Sequence, residues 1–140
     1  MDEDEGGAFL NHGTRTGKLS VSLPSGRPTV TPIWFIYEDD GKLRFNSAVG
    51  SPKVRAMLAD PRACLLVDLE EPPYAFVKVD ATVTIVDDNP ELTRRVATAV
   101  GGRYMGADRA EEFGARNGGS DELVVELTPT KVTAVNDISG

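Results

Sequence analysis

The sequence predicts a mainly β protein: six or seven strands forming one antiparallel barrel, decorated by about three short helices. Three observations predict it. Apolar residues recur at every second position in several segments, the period of a half-buried strand. Those segments are joined by short runs of Gly, Pro, Asp and Ser, the residues of tight turns. The 140 residues, 40% of them apolar, can build one core and leave little room for a second. A barrel that closes also removes the sheet edges that invite aggregation.

The strands follow in order. Lys18 to Leu23 alternates apolar and polar, and Pro24-Ser25-Gly26-Arg27-Pro28 turns the chain. Thr29 to Tyr37, rich in β-branched and aromatic residues, pairs back as the second arm of a hairpin. Pro32 lies inside this run and cannot donate to a ladder, so the strand is either bulged there or at a sheet edge. Asp40-Gly41 suits a tight hairpin turn into a third strand, Leu43 to Ser47. Arg62 to Asp68 is an apolar run of strand length. Past Glu70-Glu71-Pro72-Pro73, Tyr74 to Val86 carries apolar residues at alternate positions from Ala75 to Ile85. Glu122 to Thr128 and Lys131 to Val135 read as two closing strands around Pro129.

Three helices interrupt them. Ser51 is a good N-cap and Pro52 suits the first helical turn, with Val54, Met57 and Leu58 as the apolar face and Asp60-Pro61 as the stop. Asn89-Pro90 starts a second helix with a Leu92, Val96, Val100 stripe, ended by Gly101-Gly102. Ala107 to Arg116 forms the third. The acidic run Asp2-Glu3-Asp4-Glu5 marks residues 1–14 as a flexible N-terminal segment, leaving 15–140 as the barrel domain.

Composition excludes whole classes of function. The net charge is −7 with no basic stripe, which disfavours nucleic acid and anionic membrane surfaces as partners. No apolar run is long enough to span a bilayer, and the N-terminus is acidic where a secretory signal is basic, so a cytoplasmic location is expected. Cys64 is the only cysteine and reads as a small core residue. His12 is the only histidine, so neither a Cys/His metal cluster nor a Ser-His-Asp triad is expected. With no glycine-rich nucleotide fingerprint and few acid–base candidates, an enzyme of this sequence would rely on a cofactor for its chemistry, and no catalytic side chain can be named.

One segment stands out. Lys53 and Arg55 fall in the first turn of their helix, the end already made positive by free N–H groups and the macrodipole. Either both side chains are simply solvated, or an anion is bound there, taking hydrogen bonds from the helix N-terminus, Ser51 and both cations. A phosphate fits the second reading. Asn46 and Ser47 end the preceding strand, where they either cap a turn or meet a polyol chain attached to that phosphate. A bulge at Pro32 would free backbone groups of Thr31-Pro32-Ile33-Trp34 for a planar heterocycle. Trp34, the only tryptophan, either packs in the core or lines that pocket.

The ordered set Gly17-Lys18-Leu19, Ser25-Gly26-Arg27-Pro28, Thr31-Pro32-Ile33-Trp34-Phe35, Ser51-x-Lys53-x-Arg55 and Asp60-Pro61-Arg62 resembles the pyridoxamine-phosphate-oxidase-like split β-barrel superfamily. The branch it is most similar to is the flavin/deazaflavin oxidoreductases of group B, which use coenzyme F-420 and show a stretch like Gly101-Gly102-Arg103-Tyr104-Met105-Gly106. The resemblance implies a homodimer of split antiparallel barrels with two cofactor sites at the subunit interface. It implies that Lys53 and Arg55, with Ser51 and Val54 beside them, hold the cofactor phosphate. Asn46 and Ser47 would meet the ribityl chain, Thr31, Pro32, Ile33 and Trp34 the ring, and Tyr74 the ring or the substrate.

Asn46-Ser47, Ala56 and Asp80 depart from the pattern, and the C-terminal Arg-Leu-x-Pro of true pyridoxamine phosphate oxidases is missing, which argues against that activity. The expected function is a reductase passing hydride from reduced coenzyme F-420 to a small unsaturated or electrophilic substrate. The alternatives are an FMN-dependent oxidoreductase of the same fold and a non-catalytic flavin or F-420 carrier. Extra cations at the entrance, Lys18, Arg27 or Arg103, would favour the longer anionic tail of F-420.

Overall fold

The hairpin predicted first is present. In a computed structural model, which describes residues 1–139, β1 (Gly17–Ser22) and β2 (Pro28–Ile33) pair antiparallel from Gly17–Ile33 to Ser22–Pro28. The register runs through Pro32 without a shift, and β2 ends the sheet, so Pro32 is accommodated at an edge and not by a bulge. The second arm stops at Ile33 and resumes as β3 (Ile36–Tyr37), where one run to Tyr37 was expected. The break has a cause. The Phe35 N–H donates to the Tyr104 hydroxyl and its carbonyl accepts from Arg103 at 2.7 Å, so side chains replace the strand neighbour.

With β4 (Leu43–Ala48), β5 (Arg62–Asp68), β6 (Phe76–Val86) and β7 (Glu122–Val135), the seven strands form one antiparallel sheet ordered β2-β1-β5-β6-β7-β4-β3. The sheet curls into a half-barrel whose two edge strands are consecutive in the chain, joined by Trp34 and Phe35. The barrel is therefore split, and full closure is not achieved. The expected pair of closing strands is one strand, because Pro129 opposes Ala81 and Lys131 opposes Asp80, leaving Thr130 as an extra, bulged residue.

The inner face buries Leu19, Phe35, Phe45, Leu65, Val79 and Leu127 almost completely. A second cluster of Ile36, Val96, Val100 and Val124 lies on the outer face of β4 and β7, under α3 (Pro90–Met105). Helix α3 does not end at Gly101-Gly102. A Cβ on Gly101 would stand 2.5 Å from the Phe113 Cβ of α4 (Ala110–Asn117), so this glycine is the contact point of two helices. A 3-10 turn, Ala107–Arg109, joins them inside the segment expected as the third helix.

Residues 1–14, expected to be flexible, hold helix α1 (Glu3–Asn11). Asp2 and Glu5 form a capping box, and the acids that suggested a solvated tail occupy the helix turn that favours negative charge. Leu10 is buried, and the Asn11 amide exchanges two hydrogen bonds with the Tyr37 backbone, docking α1 on β3. Helix α2 (Pro52–Ala59) is capped by Ser51 as predicted and buries Val54 and Met57, whereas Leu58 is exposed. No helix among the described residues is long and apolar enough to cross a membrane.

Candidate cofactor-binding cavity

The start of α2 is placed by the end of β4. The Ser51 hydroxyl accepts from the Val54 N–H, and it lies 3.1 Å from the Ser47 hydroxyl, which holds the turn Val49-Gly50 tight with Gly50 at φ 78°. The first turn of α2 consequently opens into a cavity of about 380 Å³, within the range for small-molecule sites. Its lining brings together Pro32, Ile33, Trp34, Asn46, Ser47, Ser51 and Lys53 of the predicted residues. The sequence reading missed Ala48, Ala97, Val100, Asn117 and Glu122, which complete the lining.

Thr31, Val54, Arg55 and Tyr74 are not part of it. Thr31 faces away from Pro32 by strand alternation, Val54 is 2% exposed within the core, and Arg55 points to solvent. Tyr74 lines a separate cavity of about 640 Å³ with Leu66, Leu69, Phe76 and Ile138. Neither Lys53 nor Arg55 makes an ion pair among the described residues. Of the three cations considered for the entrance, Lys18 is paired with Asp68 at 2.8 Å. Arg103 is spent on the carbonyls of Leu10, Gly13 and Phe35, and burial lowers its pKa. Arg27 remains exposed in its turn.

Trp34 does not belong to the core. It is 37% exposed and stacks on Tyr104 with ring centroids 5.2 Å apart, meeting Phe113 edge-on at 6.0 Å. Tyr104 is fixed in turn, its hydroxyl donating to the Arg15 carbonyl at 2.9 Å, and burial pushes its pKa up. Trp34, just past the end of β2, is thus the aromatic wall of the cavity, held by Tyr104 of α3 and Phe113 of α4.

Asn46 and Glu122 form the floor. Asn46 opposes Val124 and Ala48 opposes Glu122, so Asn46 and Glu122 are diagonal neighbours on one face of the β4–β7 pair. The Asn46 amide N–H donates to the Thr93 carbonyl of α3 at 3.0 Å. The Asn46 Oδ1 and Glu122 Oε2 atoms are buried without hydrogen-bond partners, the two such side-chain atoms among the described residues. Burial pushes the Glu122 carboxyl above the usual range and the Asp121 charge adds to this, while Lys53 pulls it back. Among the described residues no group of His, Cys, Asp and Glu stands together as a metal site. Cys64 is half-buried on β5, and burial raises its thiol pKa.

Fold and cavity define a class: a split β-barrel with a small-molecule pocket between the sheet's outer face, a helix N-terminus and an aromatic wall. The profile of the pyridoxamine 5′-phosphate oxidase family matches residues 4–136, and the chain belongs to that family. Among solved structures it is similar to conserved hypothetical protein Rv2991 from Mycobacterium tuberculosis, at 25% identity and TM-score 0.84 over 96% of this chain and 84% of that one. It is also similar to an F-420 reductase, at 26% identity and TM-score 0.71 over 90% of this chain and 94% of that one. HutZ, the haem storage protein of Vibrio cholerae, shares the fold at 18% identity and TM-score 0.71 over 94% of this chain and 92% of that one. Among curated proteins none matches. The fold is that of flavin-type oxidoreductases and their relatives.

Proposed function

We propose that the protein is an oxidoreductase that binds coenzyme F-420 in this cavity and reduces a small unsaturated or electrophilic substrate. The observation that carries the reading is that Ser51 and Lys53, at the N-terminus of α2, line the same cavity as Asn46, Ser47 and Trp34. The residues fit such a group. A helix N-terminus, a hydroxyl and an unpaired ammonium are the donors a phosphate requires. The orphaned Asn46 Oδ1 is an acceptor for a ribityl hydroxyl. Trp34, already stacked on Tyr104, offers a flat surface to a ring system.

Bound in reduced form, the cofactor supplies the hydride. The chain's residues bind, orient and shield: Lys53 and Ser51 anchor the phosphate, and Trp34 and Ile33 exclude water from one side of the pocket. Arg55 is exposed and stands outside the lining, so its share in holding the phosphate is the smaller one. A homodimer belongs to the proposal, because a half-barrel leaves Trp34 and the cavity mouth open to solvent. The similarity to an F-420 reductase favours the deazaflavin over FMN.

Titration with oxidised and reduced coenzyme F-420, followed through the fluorescence of the single tryptophan, tests the reading. Saturable quenching and turnover with an electrophilic acceptor are expected. Tight FMN uptake with no F-420 binding would overturn the choice of cofactor, and binding without turnover of any acceptor would make the protein a carrier.

A further inference from the structure

Charges along the cavity lining are few. Lys53 is its one cation and Glu122 its one anion; the other ten lining residues are uncharged. Arg55 stands outside the lining. Among the described residues Glu122 forms no ion pair and its buried Oε2 atom has no hydrogen-bond donor, while the neighbouring Asn46 amide donates to the Thr93 carbonyl. A carboxyl group with one buried oxygen lacking any hydrogen-bond donor therefore sits in the pocket where an anion is expected.

The consequence depends on the anion's charge. A terminal phosphomonoester carries roughly −1.5 to −2 at neutral pH. A phosphodiester carries a single charge at any pH above its first ionisation. The cavity offers Lys53 and the N-terminus of α2, the latter equivalent to roughly half a positive charge. Together they supply roughly +1.5, and an ionised Glu122 removes one unit of it, which leaves a single negative charge close to matched. A second one finds no further cation in the lining and is repelled by Glu122.

We propose that Glu122 selects the phosphate class of the cofactor, admitting a phosphodiester and disfavouring a phosphomonoester. The proposal rests on the reading that Lys53 holds the cofactor phosphate. It bears on the choice between coenzyme F-420, whose phosphate is a diester leading to its tail, and FMN, whose phosphate is terminal. Burial and Asp121 favour the neutral form of Glu122, so the effect grows with pH as the carboxyl ionises.

The test measures dissociation constants at pH 8 for FMN, the methyl phosphodiester of FMN and riboflavin, with the same three ligands on an 8-hydroxy-5-deazaflavin ring run alongside. The proteins are wild type, Glu122→Gln and Lys53→Ala. Wild type binds the diester more tightly than the monoester. In Glu122→Gln the preference shrinks on the order of tenfold, one unit of charge interaction across the pocket, because the monoester gains affinity. Riboflavin, with no phosphate, is unmoved. A gain in affinity cannot come from a damaged fold, and Gln keeps the shape of Glu. An unchanged diester-to-monoester ratio in Glu122→Gln overturns the inference. If Lys53→Ala binds both phosphates as well as wild type does, or if wild type binds neither ring series, the underlying reading falls instead.

Discussion

Lys53 and Arg55 are two residues apart on α2, and at 3.6 residues per turn they project about 200° apart. Lys53 consequently faces the cavity, and Arg55 faces solvent. The pair was legible in the sequence as cations at the wrong end of a helix, but a pattern read along a line does not say which side of the helix meets the pocket. Replacing Lys53 by alanine is expected to weaken binding of a phosphate-bearing cofactor by more than tenfold, the loss of a charge-assisted contact, in titrations read from Trp34 fluorescence. Replacing Arg55 should weaken it by less than about threefold, the scale of a solvated charge. Equal losses at both positions would place the phosphate outside the cavity. Glu122 was illegible for a different reason. It is one acid among 22 acidic residues, and only the β4–β7 register sets it diagonally across from Asn46.

At the level of elements, the strands were read well because period-two alternation reports burial directly: β1, β4, β5 and β6 fall within two residues of their expected limits. The helices were read less well, because long-range packing decides their ends. Gly101 looked like a helix stop, yet a glycine inside α3 lets α4 approach until no Cβ fits between Gly101 and Phe113. Helix α1 was hidden by its acids, which favour a helix N-terminus as much as they favour a tail. The glycine contact has a measurable consequence. Gly101→Ala should destabilise the protein by about 1–3 kcal/mol through overpacking, despite alanine's better helix propensity, as chemical denaturation will show. Because Phe113 also packs edge-on against Trp34, the same substitution should shift tryptophan emission. A more stable variant would mean that α3 and α4 are not in contact at Gly101.

For the whole molecule, ionisation is arranged so that acid and alkaline pH act through different groups. Arg44, 8% exposed, donates to Glu38, Asp40 and Glu126, and Arg95 also donates to Glu38. Hydrogen bonds from Arg95 and Arg44 hold the Glu38 carboxyl below its ordinary 4.5. Its stabilisation is therefore fully present above 4.5 and is lost as pH falls through the lower folded value. Glu122 runs the other way. Its pKa is raised, so burying it costs nothing below 4.5 and costs progressively more as pH rises through the higher folded value. Glu122→Gln should thus be more stable than wild type at neutral pH and should match it near pH 4, by denaturation across that range. A variant that is less stable at neutral pH would show that the carboxylate has a partner. The split barrel itself carries the last expectation. Its β2 edge is unpaired, Val30 on that edge is 65% exposed, and Trp34 follows at the cavity mouth. Pro28 and Pro32 hinder strand addition at this edge, so the expectation rests on the exposed Val30 and Trp34 side chains beside the open cavity mouth. Sedimentation should give twice the 15.0 kDa of one chain. If the partner walls off the ring, cofactor affinity must fall as the protein is diluted through its dimer dissociation constant. A monomer that retains full affinity at every concentration would show that one half-barrel encloses the cofactor alone.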